Sequence, residues 1–279
     1  MSEKMKNLAI RTLSGLVLAI VMIGAILLSK WSFGALLLVL LVGGMREIYR
    51  LSENNGAEPQ YLMGMVAGGV LLIVNFFAAT KLWGNAESMR LLTLYFMVML
   101  TMLFVCELFR KGKNPLANIG ATLLGVVYVA LPLSLMCYIP TMSGSWHPWV
   151  MIFFILTIWS NDVFAYLVGM SIGRHRLCER LSPKKSWEGF FGGLVGALVM
   201  GFVAANLLDA NLWQWLGLAL VASITGVLGD LTESMFKRAA NVKDSGNAIP
   251  GHGGWLDRFD ALLLAAPFVF AYMVLIDMI

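Results

Sequence analysis

The chain concentrates its chemically useful side chains in one stretch, residues 229–260, which begins where a long apolar segment ends. Four of its polar side chains are spaced at i, i+3, i+4 and i+7, a spacing that places them on one face if the segment is helical. They are Asp230, Glu233, Ser234 and Lys237, and Arg238 follows directly. Such a face would combine two carboxylates and a hydroxyl with cationic groups.

The second half of this stretch contains a turn and a further group of charges. Pro250-Gly251 breaks any helix, and His252-Gly253-Gly254 then forms a turn whose backbone amides can approach a ligand closely. A solvated loop would not need carboxylates at the membrane ends of two helices, so we interpret the charges around this turn as functional. They are Lys243, Asp244, Asp257, Arg258 and Asp260.

A separate carboxylate, Asp162, lies inside the apolar run ILTIWSNDVFAYLVG. A carboxylate within a spanning helix costs roughly 2.5–3.5 kcal/mol on insertion scales. Two interpretations stay open, an acid that lines a polar cavity and an interfacial residue at a frayed helix end.

Basic residues crowd the segment 173–193, which contains SPKKSWEG. Residues 182–186 would provide two hydroxyls, from Ser182 and Ser186, and two ammonium groups, from Lys184 and Lys185, in a tight turn, a plausible cradle for a phosphate. The same charges could instead follow the bias of basic residues towards the cytoplasm or contact anionic lipid headgroups.

Together these groups favour phosphate chemistry with a hard metal ion. Carboxylates without a cysteine or histidine cluster favour Mg²⁺, and nearby cations suit a polyphosphate. The sequence contains no GxxxxGK[ST], GxSxG or HExxH motif. The residues therefore indicate a Mg²⁺-dependent phosphoryl or nucleotidyl transferase that works at a membrane surface.

The composition shows which elements must position these groups. Of 279 residues, 59% are hydrophobic and 13% are charged, which excludes a soluble globular enzyme, a disordered chain and a disulfide scaffold. The three cysteines form no CxxC pair. Continuous apolar runs predict an all-α, polytopic membrane protein with about nine spans. The predicted spans are 9–29, 32–50, 61–80, 90–109, 116–139, 149–171, 190–208, 212–229 and 261–278.

The distribution of Lys and Arg predicts the orientation of these spans. With nine spans, 17 of the 20 basic residues fall on the side that contains the N-terminus. Since basic residues accumulate in the cytoplasm, we expect a cytoplasmic N-terminus and a C-terminus outside. We expect one membrane domain, with residues 1–150 as a helical scaffold and residues 151–279 as the catalytic half.

Residues 234–260 resemble the signature of the phosphatidate cytidylyltransferase family, also called CDP-diacylglycerol synthases. The matching positions are Ser234, Lys237-Arg238, Lys243-Asp244, Gly246, Ile249, Pro250, His252-Gly253-Gly254, Asp257-Arg258 and Asp260. Asp162 with Ala165-Tyr166 and Gly169, and the SPKKSWEG segment, also look like the family pattern. The resemblance covers roughly residues 157–260, and the N-terminal half matches only in having many spans.

The resemblance implies that CTP and phosphatidate react to give CDP-diacylglycerol and pyrophosphate, for phospholipid biosynthesis. It implies Mg²⁺, with K⁺ left open, a homodimer in the inner (plasma) membrane, and a site open to the cytoplasm and the inner leaflet. Nothing in the placement of the charges calls for a nucleic acid partner.

The resemblance implies the first two metal-binding acids, and a hypothetical mechanism assigns the other roles. Asp230 and Asp257 would bind the metal, with Asp162, Glu233 and Asp260 as further candidates. Catalytic roles would fall on Lys237, Arg238, Lys243, Asp244, His252 and Arg258, and substrate contacts on Ser182, Lys184, Lys185, Ser234, Gly253 and Gly254. His252 could donate a proton to pyrophosphate, hydrogen-bond a phosphate or hold the turn.

Two alternatives remain at this point. One is an enzyme that uses CTP on another lipid, such as a polyprenol or phytol derivative. The other is an ion-coupled transporter, because intramembrane acids often mark ion pathways. A transporter predicts polar residues at mid-membrane depth in several spans, whereas here they gather at helix ends on one side.

Overall fold

The computed structural model describes residues 3–141, 144–251 and 253–276, with side chains described from Arg11 onward. His252 lies outside the described residues. The helices are α1 Glu3–Leu28, α2 Lys30–Asn54, α3 Tyr61–Ala79, α4 Asn85–Phe109, α5 Pro115–Gly125, α6 Leu131–Met136, α7 Pro148–Ile172, α8 Trp187–Leu207, α9 Leu212–Ala239 and α10 Leu256–Leu275. A π-helical turn, Val126–Ala130, joins α5 to α6, and a 3₁₀ turn, Ile139–Thr141, follows α6.

Nine helical segments of the described chain are long and apolar enough to cross a membrane, which confirms the predicted span count and fold class. The fifth segment combines α5, the π-helical turn and α6 in one span, Pro115–Thr141. Two of the differences from the predicted limits are at the helix ends that carry the acids. Helix α9 continues ten residues beyond 229, and α10 begins five residues before 261.

A short antiparallel hairpin, β1 (Arg176–Cys178) and β2 (Ser182–Ser186), was not predicted. The prediction of a tight turn over residues 182–186 was wrong, because these residues form β2 and the chain reverses before them. Arg176 pairs with Ser186 and Cys178 with Ser182, with an irregularity between the two pairs. The Ser186 side chain accepts a hydrogen bond from Gly189 N at 3.1 Å and so caps α8 directly after the hairpin.

The chain folds into two compact units, each built from two segments. The first contains Met1–Tyr138 and Ala239–Arg258, and the second contains Ile139–Arg238 and Phe259–Ile279. The division falls inside α9 and α10, so the signature segment 239–258 belongs to the same unit as the N-terminal spans.

In the first unit, α2 supplies much of the core, with Phe33, Leu37, Leu41 and Met45 almost fully buried. Tyr49, also on α2, is fully buried and donates a hydrogen bond to the carbonyl oxygen of Thr122 at 3.1 Å.

In the second unit, glycines allow α7 and α8 to pack closely. A Cβ added to Gly193 of α8 would lie 2.7 Å from Asn161 Oδ1, and one added to Gly189 would lie 2.8 Å from the Ala165 carbonyl oxygen. Asn161 also accepts a hydrogen bond from Ser223 of α9 at 2.6 Å. The small residues therefore bring three helices together beside Asp162.

Candidate active site

The second unit contains a cavity of about 550 Å³ that has charged and apolar walls. The α7–α8 pair, the hairpin and residues 227–230 of α9 form it. Its charged residues are Asp162, Arg176, Lys184, Lys185 and Asp230, and its larger apolar side chains are Tyr166, Met170, Phe190 and Val227. This combination fits a ligand with an anionic group and an apolar portion.

An ion pair joins two of the predicted site residues within this cavity. Lys185 Nζ lies 2.5 Å from Asp230 Oδ2, and the two side chains are 27% and 39% exposed. The pair joins β2 to the C-terminal half of α9, and both side chains retain access to solvent. The cation can therefore also contact an anion that enters the cavity.

The hairpin that carries these cations is fixed at its base. The Glu188 carboxylate lies 2.6 Å from His175 Nδ1 and accepts hydrogen bonds from the backbone N–H groups of Arg174 and His175. The backbone N–H of Trp187 also donates to the His175 carbonyl oxygen at 2.9 Å. These bonds hold the hairpin against the start of α8. Ser182 begins β2 and is not among the residues that line the cavity.

The polar face predicted for α9 is confirmed as helical. Glu233 is 1% exposed, and its Oε2 accepts a hydrogen bond from Lys237 Nζ at 2.6 Å. Ser234 is buried one residue further along, and Arg238 is exposed at the end of the helix. Because one Glu233 oxygen already binds Lys237, this carboxylate helps to hold a cation in place.

Helices α9 and α10 contact each other at Gly229 and Asp260, next to the carboxylates of the site. A Cβ on Gly229 would lie 2.5 Å from the backbone oxygen of Asp260, so only glycine allows this approach. Asp230 is the next residue of α9. The Asp260 side chain accepts a hydrogen bond from its neighbour Ala261 N at 2.8 Å.

The described residues contain no group of three or more His, Cys, Asp or Glu side chains placed to hold a metal ion. Two carboxylates, Asp162 and Asp230, nevertheless line the same cavity. Mg²⁺ is often bound through one or two carboxylates together with water and substrate phosphates. The donor set of the cavity fits that mode of binding and does not fit an all-protein cage.

In the first unit, Asp257 organises the signature segment. Its Oδ2 accepts hydrogen bonds from Gly254 N at 2.8 Å, from Ser245 N at 2.9 Å and from Ser245 Oγ at 3.0 Å. Gly253 has a φ of +83°, which favours glycine, and its carbonyl oxygen accepts from Ile249 N at 2.9 Å. These hydrogen bonds fix the Asp257 side chain against Ser245 and the Gly253-Gly254 turn.

The remaining charged residues of the signature are exposed. Lys243 and Asp244 lie between α9 and α10, and Arg258 lies in the first turn of α10. They are thus accessible to a soluble ligand.

Sequence reasoning missed one residue that contacts this segment, Glu47 of α2. It is 7% exposed and accepts hydrogen bonds from Ser245, Trp255 and Leu256. The signal that drew attention to Asp162, a carboxylate inside an apolar span, was present here as well. Glu47 lies far from the signature in sequence, in the half interpreted as a scaffold.

Comparison with known proteins identifies the family of the chain. Three similar proteins are phosphatidate cytidylyltransferases. The protein from Synechocystis is 33% identical over 281 residues, covering 90% of this chain and 91% of its own length. The Rickettsia bellii protein is 30% identical over 228 residues, covering 79% and 93%. The Staphylococcus aureus protein is 39% identical over 159 residues, covering 56% and 60%.

The sequence model of the Cytidylyltransferase family matches residues 9–276, nearly the whole chain. The match includes both the N-terminal spans and the signature segment. The chain is therefore a multi-pass membrane protein that belongs to the cytidylyltransferase family.

Proposed function

We propose that this protein transfers the cytidylyl group of CTP to phosphatidate, forming CDP-diacylglycerol and releasing pyrophosphate. The observation that carries the proposal is the cavity of the second unit, whose cations lie beside apolar side chains. A membrane lipid with a phosphate headgroup has this combination of properties. Membership of the family and the names of the three similar proteins support CTP and phosphatidate as the substrates.

In this reaction, a phosphate oxygen of phosphatidate attacks the α-phosphorus of CTP, and the bond from that phosphorus to the pyrophosphate oxygen breaks. The attacking oxygen is already anionic, so the reaction requires neither a strong base nor a covalent enzyme intermediate. The main barrier is repulsion between two anions. Lys184, Lys185 and Arg176 are the cavity cations that would bind phosphate oxygens and hold them for attack.

The cations beyond the cavity have related roles in this proposal. Lys237, held by Glu233, and Arg238 lie at the end of α9 and would bind the phosphates of CTP. Lys243, Arg258 and the amides of the Gly253-Gly254 turn are proposed to bind pyrophosphate.

Mg²⁺ is proposed as the cofactor, and Asp230 and Asp162 are the carboxylates of the cavity that would hold it. The ion would neutralise phosphate oxygens and polarise the α-phosphorus. The assignments of Asp257, Glu233 and Asp260 as metal ligands, of Asp244 and His252 as catalytic residues, and of K⁺ as a second ion stay predictions.

The orientation of the protein in the membrane is part of the proposal. The hairpin, the end of α9 and the start of α10 belong to the connections in which most basic residues lie. We therefore place the N-terminus and the reacting groups in the cytoplasm, with the protein in the inner membrane of a bacterial cell. The homodimer implied by the family resemblance stays a prediction.

The acceptor lipid can be tested with purified protein in mixed micelles. Product formation from labelled CTP is compared with phosphatidate and with an isoprenoid phosphate as acceptors. We expect CDP-diacylglycerol with phosphatidate and no product without Mg²⁺. A clear preference for the isoprenoid acceptor would refute phosphatidate as the substrate, and ion flux in liposomes without nucleotide turnover would refute an enzymatic role.

Asp230→Asn tests the role of the cavity carboxylate. We expect turnover to fall at least about 100-fold. Asp230 is both a proposed metal ligand and the partner of Lys185, and the substitution removes its charge. Asp209→Asn is the matched control in the same unit, since Asp209 is an exposed loop residue with a φ of +49° that asparagine adopts readily. Similar activity in the two variants would remove Asp230 from the site.

A further inference from the structure

Glu47 is a buried carboxylate in the C-terminal half of α2, and three groups from one distant part of the chain donate hydrogen bonds to it. Ser245 Oγ donates to Oε2 at 2.8 Å, Leu256 N donates to Oε2 at 2.9 Å and Trp255 N donates to Oε1 at 2.9 Å. Since an unpaired carboxylate here would be costly, these bonds tie α2 to residues 245–256.

Two of the donors lie at the N-terminus of α10, which begins at Leu256. The first N–H groups of a helix have no partner within the helix, and a negative charge near them is stabilising. Glu47 therefore caps α10 from a different helix and fixes where α10 begins. Asp257 is the next residue of that helix.

Ser245 connects the two carboxylates directly. Its hydroxyl oxygen lies 2.8 Å from Glu47 Oε2 and 3.0 Å from Asp257 Oδ2. A hydroxyl has one proton, so it can donate fully to only one of these oxygens at a time. The backbone N–H of Ser245 also donates to Asp257 Oδ2 at 2.9 Å, so Asp257 is bound by a residue whose hydroxyl contacts Glu47.

Glycines allow close packing around Glu47, and larger residues at these positions would not fit. A Cβ on Gly246 would lie 2.5 Å from Glu47 Oε1, and a Cβ on Gly254 would clash with both Glu47 and Ser245. On α2, a Cβ on Gly43 would lie 2.7 Å from the Trp255 indole nitrogen. One face of α2, with Gly43 and Glu47 four residues apart, therefore receives the segment in a single arrangement.

We infer that Glu47 is a positioning residue for the reaction: through Ser245 and the first amides of α10 it holds Asp257 in the orientation that cytidylyl transfer requires. The inference rests on the proposed function, in which Asp257 is a predicted Mg²⁺ ligand. It also gives the N-terminal spans a part in the chemistry beyond that of a scaffold.

The test compares Glu47→Gln with a matched variant, Glu107→Gln, in the same unit. Glu107 is 5% exposed and also accepts three side-chain hydrogen bonds, from Gln60, Asn118 and Arg110, far along the chain from the signature segment. Both changes replace a buried, hydrogen-bonded carboxylate by an amide of the same size. They should lower thermal stability to a similar extent.

The kinetic measurement separates positioning from stability. For folded Glu47→Gln we expect kcat to fall about 10- to 100-fold. The Mg²⁺ concentration that gives half-maximal activity should rise at least about fivefold. The KM for CTP, measured at saturating Mg²⁺, should change little. Glu107→Gln should keep the wild-type kcat and Mg²⁺ requirement. If Glu47→Gln fails to fold, Ser245→Ala provides a milder break in the same chain of contacts, with an expected loss in kcat of about 3- to 10-fold.

Hydrogen exchange supplies a second measurement that needs no activity. The amides of Trp255 and Leu256 should exchange faster in Glu47→Gln and remain protected in Glu107→Gln. A Glu47→Gln protein that folds and retains the wild-type kcat and Mg²⁺ requirement would overturn the inference, as would unchanged exchange at these two amides. An inactive wild-type protein would instead refute the proposed function, and exchange would still decide whether Glu47 orders the start of α10.

Discussion

Replacing Lys185 with alanine should reduce activity strongly and stability only slightly. Its ion pair with Asp230 contributes little to folding, whereas its proposed contact with a substrate phosphate contributes to the reaction. Lys185 lies 2.5 Å from Asp230, with 27% and 39% of the two side chains exposed. An ion pair with this much exposure contributes about 0–1 kcal/mol to folding. The free energy of unfolding of Lys185→Ala should therefore decrease by less than about 1 kcal/mol.

The expected kinetic effect is larger. A hydrogen bond from an ammonium group to a phosphate oxygen is worth about 1.5–3 kcal/mol in a partly enclosed site. Since 1.4 kcal/mol corresponds to a factor of ten, losing this bond should reduce kcat/KM by about 10- to 150-fold. Lys185→Arg keeps the charge and should recover part of the loss.

The assay is CDP-diacylglycerol formation by purified variants at varied CTP and phosphatidate, together with thermal unfolding of the same samples. Lys113→Ala is the control, because Lys113 is an exposed cation in the first unit and has no proposed role in the reaction. A Lys185→Ala protein with wild-type kcat/KM would refute phosphate binding in the cavity. An equal loss in Lys113→Ala would show that the effect comes from total charge.

Two further predictions concern the signature segment and helix packing. Asp257→Asn should lose Mg²⁺-dependent turnover while membrane insertion is kept, at a stability cost of about 1 kcal/mol for weakened loop hydrogen bonds; near-normal turnover would remove Asp257 from the metal site. Gly193→Leu should destabilise the second unit by at least about 1–3 kcal/mol, because the added side chain would overlap Asn161. Gly69→Leu is the control for thermal unfolding, since its Cβ would meet nothing within 4 Å, and equal stability of the two leucine variants would contradict close packing of α7 and α8.

The sequence alone was sufficient to predict the membrane architecture, because an apolar run long enough to span a bilayer is a local property. The nine spans are confirmed for the described chain. The helical spacing from Asp230 to Lys237 was also readable in advance, since it depends only on the geometry of one helix. Helix α9 extends through both residues, as that spacing required.

Features that depend on distant parts of the chain were not predicted. The hairpin depends on pairing between two short polar strands and on the anchoring contacts of Glu188, none of which has a strong local signal. Glu47 meets residues about 200 positions away, so only the fold shows its partners. Likewise, no local pattern shows that the signature segment shares a compact unit with the N-terminal spans; the division into a scaffold half and a catalytic half stays a prediction.

The central claim, cytidylyl transfer to phosphatidate, is tested most directly by following the α- and γ-phosphates of CTP separately. Purified protein with phosphatidate and Mg²⁺ is given CTP labelled at the α-phosphorus in one reaction and at the γ-phosphorus in another. The proposal predicts that the α label enters the lipid as CDP-diacylglycerol and that the γ label is released as pyrophosphate. Transfer of the γ label to lipid, or release of inorganic phosphate without a labelled lipid, would contradict it.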